Sequence, residues 1–201
     1  MTTFVDIILK IGGLAGLISI LWLIAKDLVA FFRKPRLSIL PFDLSKDLRV
    51  FHYKDVGWIR KFANICIENS KIRVATHCVA TLTFIRVPSN VSHLERQYYL
   101  HWADVDYSAR TIEAQPIDLG RGQRRLDVVF TQDDQQMPGC WLAMPLALCQ
   151  SQPDQNQAYL PPGKYEVQIV ISSDNGRGDK RSYSITSPTQ WSGLNMSEMT
   201  G

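Results

Sequence analysis

The chain has 201 residues, of which 22 are basic and 19 acidic, and 45% are apolar. That length fits one membrane anchor and one domain of roughly 150 residues with a real core, and argues against a second globular domain. A formal net charge of only +3 excludes a dedicated nucleic-acid binder with a broad basic face, so no nucleic acid is expected among the partners.

The first element in chain order is an apolar run. Ile11 to Ala25, between Lys10 and Lys26, is uncharged and apolar all round. At about 1.5 Å per residue it rises about 22 Å, less than the roughly 30 Å hydrocarbon core of a bilayer. Snorkelling by Lys10 and Lys26, with extra hydrophobic turns at Val5 to Leu9 and Leu28 to Phe32, makes a tight span feasible. Trp22, Phe31 and Phe32 suit a membrane interface. The run ends in Ala25-Lys26-Asp27 without a small-residue cleavage pattern, which argues against an export signal. Only the later LVAFFRK segment has the two-faced character of a helix lying in the membrane plane.

Residues 1–34 are therefore expected to be a single-pass transmembrane anchor. The basic residues Lys26, Arg33, Lys34 and Arg36 follow the span, whereas only Lys10 and the terminal amine precede it. The positive-inside rule then puts the N-terminus outside and the remaining chain in the cytoplasm. The same four side chains should attract anionic lipid head groups at roughly 1 kcal/mol each. Gly12 and Gly16 form one GxxxG step, through which two such helices can approach closely.

After Arg36 the period changes to two. Leu37, Ile39 and Phe42 open a first strand, which Pro41 marks as an edge or bend. Ala63, Ile65 and Ile67 share one face of a second. Cys78, Ala80, Leu82 and Phe84 alternate with polar residues, as do Leu126, Val128 and Phe130, and then Tyr165, Val167, Ile169 and Ile171. Turn chemistry separates these runs: two glycines within Asp118 to Gly122, Pro161-Pro162-Gly163, and Asp174-Asn175-Gly176. Seven to nine strands and no amphipathic helix are expected in residues 35–187, as an antiparallel, immunoglobulin-like β-sandwich. The Cys, Trp, Cys spacing of true immunoglobulin domains is absent. Gln150 to Ala158 reads as a long polar loop, and residues 188–201 read as a flexible tail in which Trp191 alone is suited to docking.

The stretches "NICIENSKIRVATHCVATLTFI", "PIDLGRGQRRLDVVF" and "YLPPGKYEVQIVISSDNGR" together resemble the immunoglobulin-like β-sandwich modules of uncharacterised prokaryotic single-pass membrane proteins. The shared features are a strand ending in Asn69, Ala75 and Cys78 three apart in the next, and the entry from Pro161 to Tyr165. The likeness covers most of Arg60 to Ile185 and implies a fold without an assigned reaction. Ser70 and Lys71 stand where related modules often turn with glycine.

Candidate chemistry is sparse. Asp104, Asp106 and Ser108 begin a calcium-loop pattern, but Ala109 and Gln115 stand where the glycine and final carboxylate are needed. Arg121, Arg124 and Arg125 around two glycines suggest an anion nest without the rest of a phosphate loop. Arg177-Gly178-Asp179 is an adhesion tripeptide of a kind that a hairpin tip favours anyway. His52, His77, His93 and His101 are scattered, and Cys66, Cys78, Cys140 and Cys149 include no CxxC pair. Cys78 reads as a small buried hydrophobe, and Trp58, Trp102 and Trp141 as core residues.

No catalytic residue, metal ligand or cofactor is assigned. The sequence points to a non-catalytic interaction or sensing module held at a lipid bilayer, with a protein partner or a second copy as its target. The alternative is a ligand-binding membrane receptor that oligomerises through Gly12 and Gly16.

Overall fold

The structure, a computed structural model, describes residues 16, 18–29, 34–53, 57–89, 91, 94, 97–103, 116–133, 138–144 and 159–199. The chain divides into two compact units, Met1–Lys34 and Pro35–Gly201.

In the first unit residues 18–29 form helix α1, about 18 Å long at about 1.5 Å per residue. Every one of these residues is exposed, including Ile20 at 60% and Trp22 at 71%. Among the described residues no helix is long and apolar enough to cross a membrane. The start of the expected span, together with Gly12 and Arg33, lies outside the described residues.

The second unit is mainly β. Its strands in chain order are β1 (Leu37–Ile39), β2 (Leu48–Tyr53), β3 (Trp58–Asn69), β4 (Ala75–Arg86), β5 (Gln97–Tyr99), β6 (His101–Trp102) and β7 (Ile117–Leu119). They continue as β8 (Gly122–Gln132), β9 (Cys140–Leu142), β10 (Tyr159–Leu160), β11 (Gly163–Ser172), β12 (Asp179–Ser187) and β13 (Asn195–Glu198). The count exceeds the expected seven to nine because several strands are pieces of two to four residues that share one lane of a sheet. A single helical turn, α2 (Leu44–Asp47), is capped by Asp43, whose carboxylate accepts from the Ser45 amide at 3.0 Å.

Two antiparallel sheets result. The first runs β1-β3-β8-β9-β10, with β2 beside β1 on one edge of β3 and β6 beside β9 on one edge of β8. The second runs β13-β12-β11-β4-β5, and β7 also pairs with β4. Their buried faces belong to one hydrophobic cluster: Leu37, Ile39, Ile65 and Ile67 from the first sheet with Leu82, Val167, Ile169 and Ile185 from the second, all at most 1% exposed.

The alternation expected in β11 is present, with Tyr165, Val167, Ile169 and Ile171 buried. In β4 the three-residue spacing of Ala75 and Cys78 comes from a bulge. His77 takes a left-handed φ of 49°, and this inserts the extra residue that returns both small side chains to the core. β8 departs further from the expected pattern. Ala63 pairs with Val129 and Asn64 with Asp127, so Val128 is an inserted residue, and every residue from Leu126 to Gln132 is buried. Both faces of this strand are covered, which period-two reasoning cannot foresee.

The segment after Pro188 also departs from the flexible tail expected. Trp191–Gly193 makes one 3-10 turn, and β13 then pairs with β12, burying Leu194 and Met196 to about 1% exposure or less. Two apolar residues suffice here because β12 offers an open edge whose hydrogen bonds they complete.

Candidate functional site

The first residues of the second unit fix one end of its fold. Leu37 pairs with Asn69, Asn69 with Gly122, and Ala75 with Leu119, while Ile171 pairs with both Ala80 and Asp179. The start of β1, the β3–β4 loop, the β7–β8 turn and the β11–β12 hairpin are therefore gathered at a single end, here called the entry end.

Asn69 organises it. This side chain is 0% exposed; its Nδ2 donates to the Arg73 carbonyl at 2.8 Å and the Leu119 carbonyl at 2.9 Å, and its Oδ1 accepts from the Lys71 amide at 3.1 Å. These bonds hold the turn through Ser70 and Lys71. An Asn side chain bonded to nearby backbone groups shapes a turn in this way.

The hairpin is fastened to both neighbours. The Arg177 amide donates to the Pro35 carbonyl and the Leu37 amide to the Arg177 carbonyl, each at 2.9 Å. Asp179 Oδ2 accepts from the Ile39 amide at 2.8 Å. Asn175 spans to the start of β4, its Oδ1 accepting from the Thr76 amide and its Nδ2 donating to the Val74 carbonyl, both at 3.0 Å. His77 Nδ1 lies 2.8 Å from Asp174 Oδ2, and the His77 amide donates to Asp118 Oδ1 at 3.0 Å. The adhesion tripeptide is thus built into the sheet junction. A Cβ on Gly178 would collide with the Ile171 carbonyl oxygen.

What this end shows to solvent is basic and apolar. Arg36, Lys71, Arg73 and Arg121 are exposed, and none of them forms an ion pair among the described residues. Between Lys71 and Arg73 stands Ile72, 84% exposed, with Val74 at 45% just behind it. Of the carboxylates nearby, Asp118, Asp174 and Asp179 are taken up by the contacts above, and Glu68 accepts from Gln123 Nε2 at 3.4 Å.

A second constellation lies on the other face of the first sheet. Phe51, Phe62, Phe130, Trp141 and Tyr159 form a row of ring contacts across β2, β3, β8, β9 and β10, with centroids 5.4 to 5.9 Å apart. Arg60 stacks on this row, 5.0 Å over Phe130 and 5.2 Å over Trp58, while its Nε donates to Gln132 Oε1 at 2.7 Å. Next to it the Asn64 amide donates to Asp127, which is the cross-strand partner of His101. Arg60, Asn64, His101, Asp127 and Gln132 are all at most 4% exposed. Burial pushes the His101 imidazole down to about 4, so it is neutral at ordinary pH.

Of the residues singled out in the sequence, Lys26, Lys34 and Arg36 are exposed, and Gly16 lies on an open helix surface where an added Cβ meets nothing within 4 Å. Asp104, Asp106, Ser108, His93 and Cys149 lie outside the described residues. Arg121 and Arg124 are exposed on a hairpin. Cys66, Cys78 and Cys140 are free, and burial pushes the Cys78 thiol up to about 11 and the Cys140 thiol up to about 12. Trp102 and Trp141 are buried, whereas Trp58 is half-buried beneath Arg60. Sequence reasoning missed Lys71, Ile72 and Arg73, whose only signal is an isoleucine between two cations in a turn, and the buried Arg60, Asn64, Asp127 and Gln132, which no spacing marks. Among the described residues no group of three His, Cys, Asp or Glu side chains could hold a metal ion. No protein-family model matches the sequence, and a comparison with curated proteins finds no match.

Proposed function

We propose that the chain is a single-pass, membrane-anchored, non-catalytic interaction or sensing module, with its N-terminus outside and an immunoglobulin-like β-sandwich in the cytoplasm. The observation that carries the anchor is α1. Ile18, Ile20, Leu21, Leu23, Ile24 and Leu28 are each 56 to 60% exposed, although a helix apolar on all sides is stable only inside a core or a bilayer. Lys26, Lys34 and Arg36 near its C-terminal end supply the charge bias for the orientation.

Strand order supports the immunoglobulin-like part. β1-β3-β8-β6 follows the A-B-E-D order of that fold and β12-β11-β4-β5 follows G-F-C-C′. Tyr165, near the start of the F-like strand β11, donates its hydroxyl to the Pro161 carbonyl at 2.7 Å, the bond of a tyrosine corner. On this reading Val167, two residues on, stands where antibody domains carry a cysteine. Burial raises the Cys78 and Cys140 thiols, so neither is suited to act as a nucleophile.

A membrane-held module works by concentration: confinement to the bilayer raises its effective concentration toward membrane partners or a second copy. The deciding experiment places a compartment-sensitive reporter at each terminus and extracts membranes with alkaline carbonate. Resistance to extraction with a cytoplasmic C-terminal reporter is the expected result, and release into the supernatant would overturn the anchor.

A further inference from the structure

The entry end of the domain has a surface that a tether alone does not require. A linker needs only an exit point, yet four exposed cations from three separate segments, Arg36, Lys71 with Arg73, and Arg121, share this end with one protruding isoleucine, Ile72. Asp118, Asp174 and Asp179 are held by backbone amides or by His77 and Glu68 by Gln123, so none of these carboxylates pairs with the four cations, which keep their charge for another partner.

We propose that the entry end docks on an anionic lipid bilayer, with Ile72 seated among the head groups and Arg36, Lys71, Arg73 and Arg121 facing lipid phosphates. The chemistry fits this occupant better than an acidic protein or a nucleic acid. An isoleucine standing 84% exposed between cations, with Val74 exposed behind it, matches a surface that is apolar below and anionic above. Nucleic acid offers no such apolar layer. Place in the fold agrees as well, because the docking loop shares its end with Pro35, immediately after the basic residues that follow the apolar run. The loop is also preshaped, since Asn69 fixes Lys71 and Arg73 through their backbone and little ordering entropy remains to be lost on contact.

The inference rests on the anchor for its orientation, and the test separates the two. The full chain is reconstituted into nanodiscs of phosphatidylcholine alone or with one third phosphatidylserine, and amide hydrogen exchange is followed at residues 70–74. Slower exchange in the anionic discs is expected, by several-fold. The pair Lys71→Glu and Arg73→Glu should abolish that difference, since each cation is worth about five-fold in membrane affinity. Ile72→Ser should reduce it, and Lys164→Glu, at the opposite end of β11, should leave it intact. Insertion with equal exchange in both discs overturns docking and leaves the anchor standing. If the chain enters neither disc, the anchor reading fails by itself. Cosedimentation of the same chain with phosphatidylserine vesicles then decides docking, binding supporting it and a soluble chain overturning it.

Discussion

Helix α1 and the β domain use the same apolar side chains in opposite ways. Ile20 and Leu23 are 60% and 57% exposed, whereas Ile67 and Leu82 are at 0%. In the domain each isoleucine meets partners from a facing sheet, so its burial is complete within the chain. In α1 the same kinds of side chain meet no such partners among the described residues, and the proposed anchor is the reading in which a lipid phase takes that surface out of water. The contrast teaches that hydrophobicity alone does not mark a core; what marks it is the company the side chain keeps.

The largest effect should come from putting charge into the helix. Leu21→Asp with Ile24→Asp costs about 3 kcal/mol per carboxylate at a membrane helix centre, enough to move the protein from the carbonate-resistant pellet to the supernatant. The thermal midpoint of the domain should not change. Ile67→Ala reverses the pattern. A cavity at a fully buried site is expected to remove about 4 kcal/mol from the urea unfolding free energy, with membrane retention unaffected.

Within the domain, pH supplies the next test. Burial holds His101 down to about 4 in the folded protein, against about 6.5 for an exposed histidine. The unfolded chain therefore binds the extra proton first, so stability present above pH 6.5 is lost as pH falls toward 4, by about 3 kcal/mol in all. His101→Gln should flatten that slope in denaturation curves collected across this window. Asn69→Ala removes three hydrogen bonds at a buried turn and should cost about 2 kcal/mol, with faster amide exchange in residues 70–74. The smallest change is expected from Tyr165→Phe, about 1 kcal/mol for the lost bond to Pro161, read from the unfolding midpoint.

Much of this architecture was legible because its strands have one wet face. Tyr165 to Ile171 alternates in the sequence and in the sheet, and Asp174-Asn175-Gly176 turns between β11 and β12 as its residue types demand. Legibility failed where tertiary context took over. The inserted Val128 and the doubly covered β8 erase the alternation, and β13 exists because β12 has an edge to fill. Lys34 and Arg36 were visible as the flank of an apolar run. Lys71, Ile72 and Arg73 were not, since their meeting with Arg36 and Arg121 depends on sheet pairings that join residues far apart in sequence.

The fastening of Arg177 to Pro35 and Leu37 has a mechanical side. Pro35 is buried, and the residues on either side of the junction are bonded into different sheets: β1 to β3 in one, and the β11–β12 hairpin, through β11, to β4 in the other. A pull on the chain upstream of Pro35 is therefore shared by both sheets at once, loading several hydrogen bonds together instead of unzipping β1 from an edge.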